Sequence, residues 1–241
     1  MRKNIVKVLF LLLVVVSLLG IPMLAGKIAN LFPNSSLDPD GAFWWISIHH
    51  IAQALLFVPL FFLVKLIMPK VDFKLRKGNV KVGLTYIWKF TLFFLVYSII
   101  AYGIIYLTDS FSPFSYSLSA NNIVGYLGFQ LFLSGPSEEL IFRSFGMGVV
   151  ALLFSKRIFK NKLSVANLII AIIFGLAHIG IAFSPFNLSF STMQVFYAIG
   201  LGLIYGDCIE KTNSVIYPMA LHSISNVISV GITILLTVIV R

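Results

Sequence analysis

Charge is what this chain of 241 residues has least of: only 11% of it is Asp, Glu, Lys or Arg, against roughly 25% in a soluble domain. Acids are scarcer than bases, eight against eighteen. Just three of them are glutamates, Glu138, Glu139 and Glu210. With 59% apolar residues, this excludes a water-soluble globular domain and predicts an all-α, polytopic membrane helix bundle. Cysteine is nearly absent. Cys208 stands alone, which excludes an intramolecular disulfide, a CxxC pair and a cysteine-rich metal centre, so any metal would need His and carboxylate ligands. The formal charge of +10 does not point to nucleic acid, because the bases gather in short runs between apolar stretches with no aromatic platform beside them. There is no internal repeat of the kind that underlies the inverted symmetry of many transporters, and no soluble domain interrupts the pattern.

The opening stretch "MRKNIVKVLFLLLVVVSLLGIPMLAG" has the basic start and apolar run of a signal peptide, with Ala25-Gly26 as a weak cleavage site. The rest of the chain is just as apolar, so the stretch reads as an uncleaved first helix. Apolar runs follow at about 42–68, 84–107, 164–183, 191–207 and 214–239, each near the ~20 residues that a bilayer core requires. The stretch 122–155 is longer than one crossing needs and contains Gly135-Pro136, which makes 122–135 an entering half-helix or interfacial piece. Arg2, Lys3 and Lys7 place the N-terminus in the cytoplasm, together with the basic loops 70–81 and 156–162. The base-free loops 108–122 and 183–190 fall outside. This count gives seven transmembrane segments, or eight if the half-helix is scored separately, in a plasma membrane.

Ionisable groups inside spans are costly and usually face a cavity, a partner or a reaction. In "GPSEELIFRSFG" (135–146), Gly135-Pro136 reads as a helix start that puts both glutamates in the first turn, where the helix dipole favours negative charge. Glu139 and Arg143 are four apart, share a face and can neutralise each other. Glu138 is then the spare carboxylate, available as a general base. "IIFGLAHIG" puts His178 in the middle of one span, and "YPMALHSISNVIS" puts His222 in another, with Asn226 one turn on and facing the same way. Depths at 1.5 Å per residue come to about 24 Å for Glu138, 21 Å for His178, 18 Å for Asn226 and 12 Å for His222. These are overlapping layers rather than one level.

"EELIFR", "FGLAH" and "HSISN", in this order on successive membrane helices, resemble the EExxxR, FxxxH and HxxxN motifs of the CPBP family, the CAAX-protease and bacteriocin-processing (Abi) intramembrane proteases. The likeness covers a catalytic core of about 120–230. Residues 1–110 are transmembrane helices without a family signature, and 231–241 end the last span. The resemblance implies an intramembrane endopeptidase in which Glu138 and His178 activate water. His222 and Asn226 would polarise the scissile carbonyl and stabilise its oxyanion, while Glu139 and Arg143 support the site. It leaves two chemistries open, zinc held by Glu138, His178 and His222, or water activation without metal. Expected partners are membrane lipids and a small membrane-associated peptide or protein tail, lipidated or not, and no nucleic acid. A non-catalytic scaffold and an ion-coupled transporter are the competing readings.

The remaining polar residues receive structural readings. His49 and His50 follow Trp44 and Trp45, which look like interfacial anchors. Gly202 and Gly206 form a GxxxG packing face. Asp207 and Glu210 fall in a solvated cytoplasmic turn.

Overall fold

The computed structural model describes residues 2–32, 35–183 and 185–240, with the backbone alone for 2–4, 6, 182 and 183. The side chains of Arg2 and Lys3, on which part of the orientation rests, Ser184 in the loop 183–190, and Arg241 at the end of the last span lie outside the described residues. The protein is a helical membrane bundle. Among the described residues five helices are long and apolar enough to cross a membrane: α1 (Arg2–Ala29), α2 (Trp44–Ile67), α3 (Val80–Leu107), α8 (Thr192–Thr212) and α9 (Ile216–Val240). Their outward faces carry large apolar side chains such as Leu13, Phe62, Trp88 and Leu235, a surface suited to lipid and not to water.

Between α3 and α8 the chain departs from the expected pattern twice. From 120 to 153 it is helical without a break: α4 (Ala120–Phe129), a π-helical segment Gln130–Ser134, α5 (Gly135–Glu139), a second π-helical segment Leu140–Gly146, and α6 (Met147–Leu153). Gly135-Pro136 is therefore not a helix start, and 122–135 is not a separate half-helix. Proline has no N–H to give the carbonyl four residues back. The wider i→i+5 register of a π turn offers that carbonyl the next N–H instead, so the helix absorbs the proline.

The second departure is α7 (Val165–Leu176), which stops at about 18 Å of length, short of the ~30 Å hydrocarbon core. A tight turn follows, in which His178 N–H donates to Gly175 O and Ile179 N–H to Leu176 O. The antiparallel hairpin β3 (Gly180–Phe183) and β4 (Phe186–Ser189) then returns the chain to α8. The predicted span 164–183 is thus a short helix, a turn and a strand. Hydropathy registered its apolarity but not the close pairing of Gly180 with Ser189, where a side chain at 180 would overlap the serine hydroxyl.

Local chemistry sets the helix ends. Asn79, Ser119, Ser164 and Ser191 cap α3, α4, α7 and α8 by accepting the N–H three residues on, and Asn213 ends α8 in the left-handed region at φ 57°. Buried Asp38 gathers the N–H groups of Ala42, Phe43 and Trp44 at 2.7, 2.8 and 2.6 Å, an anionic cap that fixes the entry into α2. Basic stretches share one end of the bundle. Val215 N–H donates to Lys74 O at 3.0 Å, Arg157 pairs with Glu210 at 2.9 Å, and Lys7 lies over the Phe154 ring. Asp207 and Glu210 are accordingly bound rather than merely solvated: Tyr86 donates to Asp207, and Ser164 to Glu210. At the other end, Asp40 accepts from Ser117 and from Asn122, tying the α1–α2 connection to the start of α4.

Two apolar clusters flank the 120–153 helix. Leu18, Phe57, Ile141, Phe145 and Ile170 join α1, α2, the second π segment and α7, while Phe94, Tyr205 and Leu221 join α3, α8 and α9. In lipid, burial of apolar surface no longer separates folded from unfolded contacts, so cohesion comes from close packing. Gly202 and Gly206 provide it as expected, within the bundle. A Cβ at Gly202 would lie 3.2 Å from Ala171, and one at Gly206 would overlap the Asn167 amide.

Candidate functional site

The polar residues left inside this apolar bundle converge where α5 meets α2 and α9. Glu139 and Arg143 form the predicted ion pair, Nε to Oε2 at 3.1 Å, and both side chains have no solvent exposure. The contact is ionic rather than a well-aligned hydrogen bond, and Nη1 and Nη2 of Arg143 have no hydrogen-bond partner among the described residues. Aromatic faces surround the guanidinium instead, Phe174 at 4.2 Å, Tyr205 at 5.5 Å and Phe142 at 6.0 Å from ring centroid, which suits a weakly hydrated planar cation.

The other oxygen of Glu139 has a second task. His222 Nδ1 lies 2.8 Å from Glu139 Oε1, and since a carboxylate paired with arginine can only accept, Nδ1 carries a proton and donates it. His222 therefore presents Nε2 to the interior of the site. That Nε2 is 3.9 Å from Glu138 Oε2. The Tyr205 ring stacks on the imidazole at 5.2 Å, and Phe174 meets it edge-on at 5.9 Å. Support from Glu139 thus reaches the site through the imidazole as well as through Arg143.

Glu138 itself accepts no direct hydrogen bond among the described residues, and its side chain is 22% exposed. Two imidazoles flank it: His222 on Oε2, and on Oε1 His50 of α2, whose Nε2 is also 3.9 Å away. His50 is the functional candidate that the sequence reading set aside. It is buried, its Nδ1 lies 2.7 Å from Ser137 Oγ, and Gln53 Nε2 is 3.0 Å from both that nitrogen and that hydroxyl. A signal was present in "HHIAQ", where His50 and Gln53 sit three apart, a polar face inside an otherwise apolar span. Its neighbour His49 keeps its structural reading, stacked on Trp45 at 5.3 Å.

His178 does not lie in mid-helix. It occupies the turn after α7, donates from Nδ1 to Phe174 O at 2.8 Å, and meets the Phe174 ring edge-on at 4.9 Å. It makes no ion pair with Glu138 among the described residues, although it is within electrostatic range of that carboxylate. Phe174 is the spacer that holds His178, His222 and Arg143 around one ring. Asn226, one turn beyond His222, donates from Nδ2 to Ser134 Oγ at 3.1 Å, on the turn before Glu138. The close approach of α5 to α9 depends on Gly135, whose Cβ would stand 2.8 Å from Ser223 N and 2.9 Å from Ser223 Oγ.

Zinc requires donors at about 2.0–2.2 Å from a common centre. Among the described residues no three His, Cys, Asp or Glu side chains converge in that way. The arrangement as it stands does not fit a three-ligand ion on Glu138, His178 and His222. What the geometry offers is one lightly held carboxylate between two imidazoles, beside an amide donor.

Residues 120–228 match the family model described as Rce1-like, type II CAAX prenyl endopeptidase. No curated protein and no solved structure matches the chain.

Proposed function

Since residues 120–228 are those of a Rce1-like segment in keeping with the CPBP intramembrane proteases, we propose that this multi-pass membrane protein hydrolyses a peptide bond in a small membrane-associated peptide or protein tail. The observation that carries the proposal is the contrast between two adjacent glutamates. Glu139 is consumed by Arg143 and His222, while Glu138 faces two imidazole nitrogens and retains exposure.

In this reading Glu138 takes a proton from a water molecule as the water oxygen bonds to the scissile carbonyl carbon. His178, with Nδ1 committed to Phe174 O, turns Nε2 to the same water. The carbonyl oxygen gains charge and is met by the Nε2 side of His222, protonated and backed by Glu139, and by the Asn226 amide. As the tetrahedral centre collapses, the C–N bond breaks and Glu138 returns its proton to the leaving amine. The site lies in an apolar, largely water-excluding bundle, where each of these electrostatic contacts counts for more than in water.

The proposal includes seven crossings, the five long helices plus the 120–153 helix and the short α7 with its turn, in a plasma membrane. The shared basic end, with Lys7, Lys74 and Arg157, faces the cytoplasm, and the N-terminus lies with it. The substrate's membrane-bound part, a lipidated tail or an apolar leader, reaches the site from within the bilayer.

The test is cleavage of prenylated and unprenylated membrane peptides by the purified protein in detergent, comparing wild type with Glu138→Gln and His178→Ala, with and without chelator. Expected is cleavage by wild type that survives the chelator and is lost in Glu138→Gln with the fold retained. Loss under chelator restored by zinc would overturn the metal-free step. No cleavage of any peptide, with Glu138→Gln functional in cells, would favour a scaffold.

A further inference from the structure

The family match begins at residue 120, yet one of the two imidazoles facing Glu138 comes from α2, far outside it. We propose that His50 anchors the catalytic base: its Nε2–H is the donor that fixes Oε1 of Glu138 and so turns Oε2 toward the water and the scissile carbonyl. The inference rests on the reading of Glu138 as that base and adds a positioning residue from the N-terminal helices.

The proton assignment follows from the partners behind the ring. Gln53 Nε2 can only donate, and it lies 3.0 Å from His50 Nδ1 and 3.0 Å from Ser137 Oγ. In the tautomer this anchoring uses, His50 Nδ1 accepts from Gln53 Nε2 or from the Ser137 hydroxyl, and the ring proton sits on Nε2, 3.9 Å from Glu138 Oε1. Across the carboxylate, His222 gives Nδ1–H to Glu139, and its Nε2 side is the one turned to the carbonyl oxygen in the reaction. The two oxygens of Glu138 thus have different neighbours, a fixed donor on Oε1 and the reacting side of the site on Oε2. A separation of 3.9 Å is longer than a direct hydrogen bond, and catalytic contacts of this length tighten as the groups close on a substrate.

The scaffold holding His50 is built for one orientation. Ser137 is the residue before Glu138, so the same serine that touches the His50 ring also fixes the start of the glutamate pair. Phe129 meets the imidazole edge-on at 5.0 Å, and the His50 side chain is only 8% exposed. Upstream, α2 is set by its Asp38 cap. The catalytic geometry thus depends on a part of the chain that carries no family motif.

The experiment uses the full-length protein in the cleavage assay above, with His50→Ala, His50→Gln, His50→Asn and Glu138→Gln, and with thermal stability in detergent measured for each. Displacing a reacting group by about an ångström costs up to roughly 100-fold, so His50→Ala should lower kcat 10- to 100-fold with KM within about threefold. The amide of glutamine reaches where Nε2 stood, whereas that of asparagine reaches only the Nδ1 position next to Ser137 and Gln53. His50→Gln should therefore recover much of kcat and His50→Asn should not. A residue that merely held α2 against α5 would show the reverse order, with kcat following stability, and that result overturns the proposal. So does His50→Ala with wild-type kcat while Glu138→Gln is dead, which leaves the protease reading standing. Failure of wild type to cleave any peptide, or an active Glu138→Gln, overturns both.

Discussion

Replacing Glu139 by glutamine should separate the two tasks of that residue. The carboxylate and its guanidinium partner are both fully buried, so removing one charge leaves Arg143 uncompensated among Phe142, Phe174 and Tyr205. Breaking a buried pair in this way typically costs about 3–5 kcal/mol, and at roughly 2–4 °C per kcal/mol for a chain of this size the thermal midpoint should fall by about 6–20 °C. Glu138→Gln, at a partly exposed carboxylate with no direct hydrogen bond, should move it by only a degree or two. The decisive variant is Glu139→Gln with Arg143→Met, because replacing a whole buried pair by uncharged groups of similar volume is often neutral. Stability should return in the double variant. Turnover should not, since His222 has lost the carboxylate that holds Nδ1–H at 2.8 Å. Both quantities are measured on the same detergent preparations, by thermal unfolding and peptide cleavage. A single variant as stable as wild type, or a double variant no more stable than the single, would refute the account of the pair; recovered turnover would refute the link to His222.

Two further perturbations probe the frame around the site. Gly135→Ala sets a methyl group against the Ser223 backbone nitrogen, which can yield only if α5 and α9 separate. Overpacking of this kind costs about 1–3 kcal/mol, and turnover should fall at least about tenfold because Glu138 and His222 sit on opposite sides of that contact; wild-type kcat in this variant would show that the close approach does not matter. At the far end, hydrogen bonds from Ser117 and Asn122 hold the Asp40 carboxyl below its ordinary value. With a depressed native value, the stabilisation is complete above the ordinary carboxylate range and is lost as the pH falls through the native value. Protection of the amides in 115–122, corrected for the intrinsic exchange rate at each pH, should therefore fall on acidification from pH 5 toward 3, and Asp40→Asn should already be less protected at pH 5 with no further loss; identical protection profiles for the two proteins would contradict this.

What could be read in the sequence was mostly what lies within one or two helical turns. The Glu139–Arg143 pair and the packing at Gly202 and Gly206 follow from spacings of four on a helix, and so does the shared face of His222 and Asn226. The contacts that could not be read cross long stretches of chain. His222 meets Glu139 over 83 residues and His50 meets Ser137 over 87, and nothing local distinguishes these histidines from packing residues. Hydropathy likewise reports how apolar a run is and not how its backbone pairs, so the end of α7 and the first strand of its hairpin were hidden inside one apolar stretch. Pro136 misled for a related reason. A proline after glycine fits a helix start as well as a π-helical interior, and only the partners on α2 and α9 decide between them.

The two π-helical segments give the 120–153 helix a property that its residue-by-residue chemistry does not reveal. In a regular helix each residue advances the thread by about 100°, so facing is a running count. Each π turn holds one residue too many for that count, and here the surplus falls just before the glutamate pair, at Gln130–Ser134, and just after it, at Leu140–Gly146. The glutamates sit on a short length of screw whose phase is offset from both neighbours. Loss of a single residue from the first segment would leave every side chain chemically intact and turn Glu138 and Glu139 together away from His50 and His222. The site is therefore encoded partly by number, and spacing along this helix carries as much information as identity.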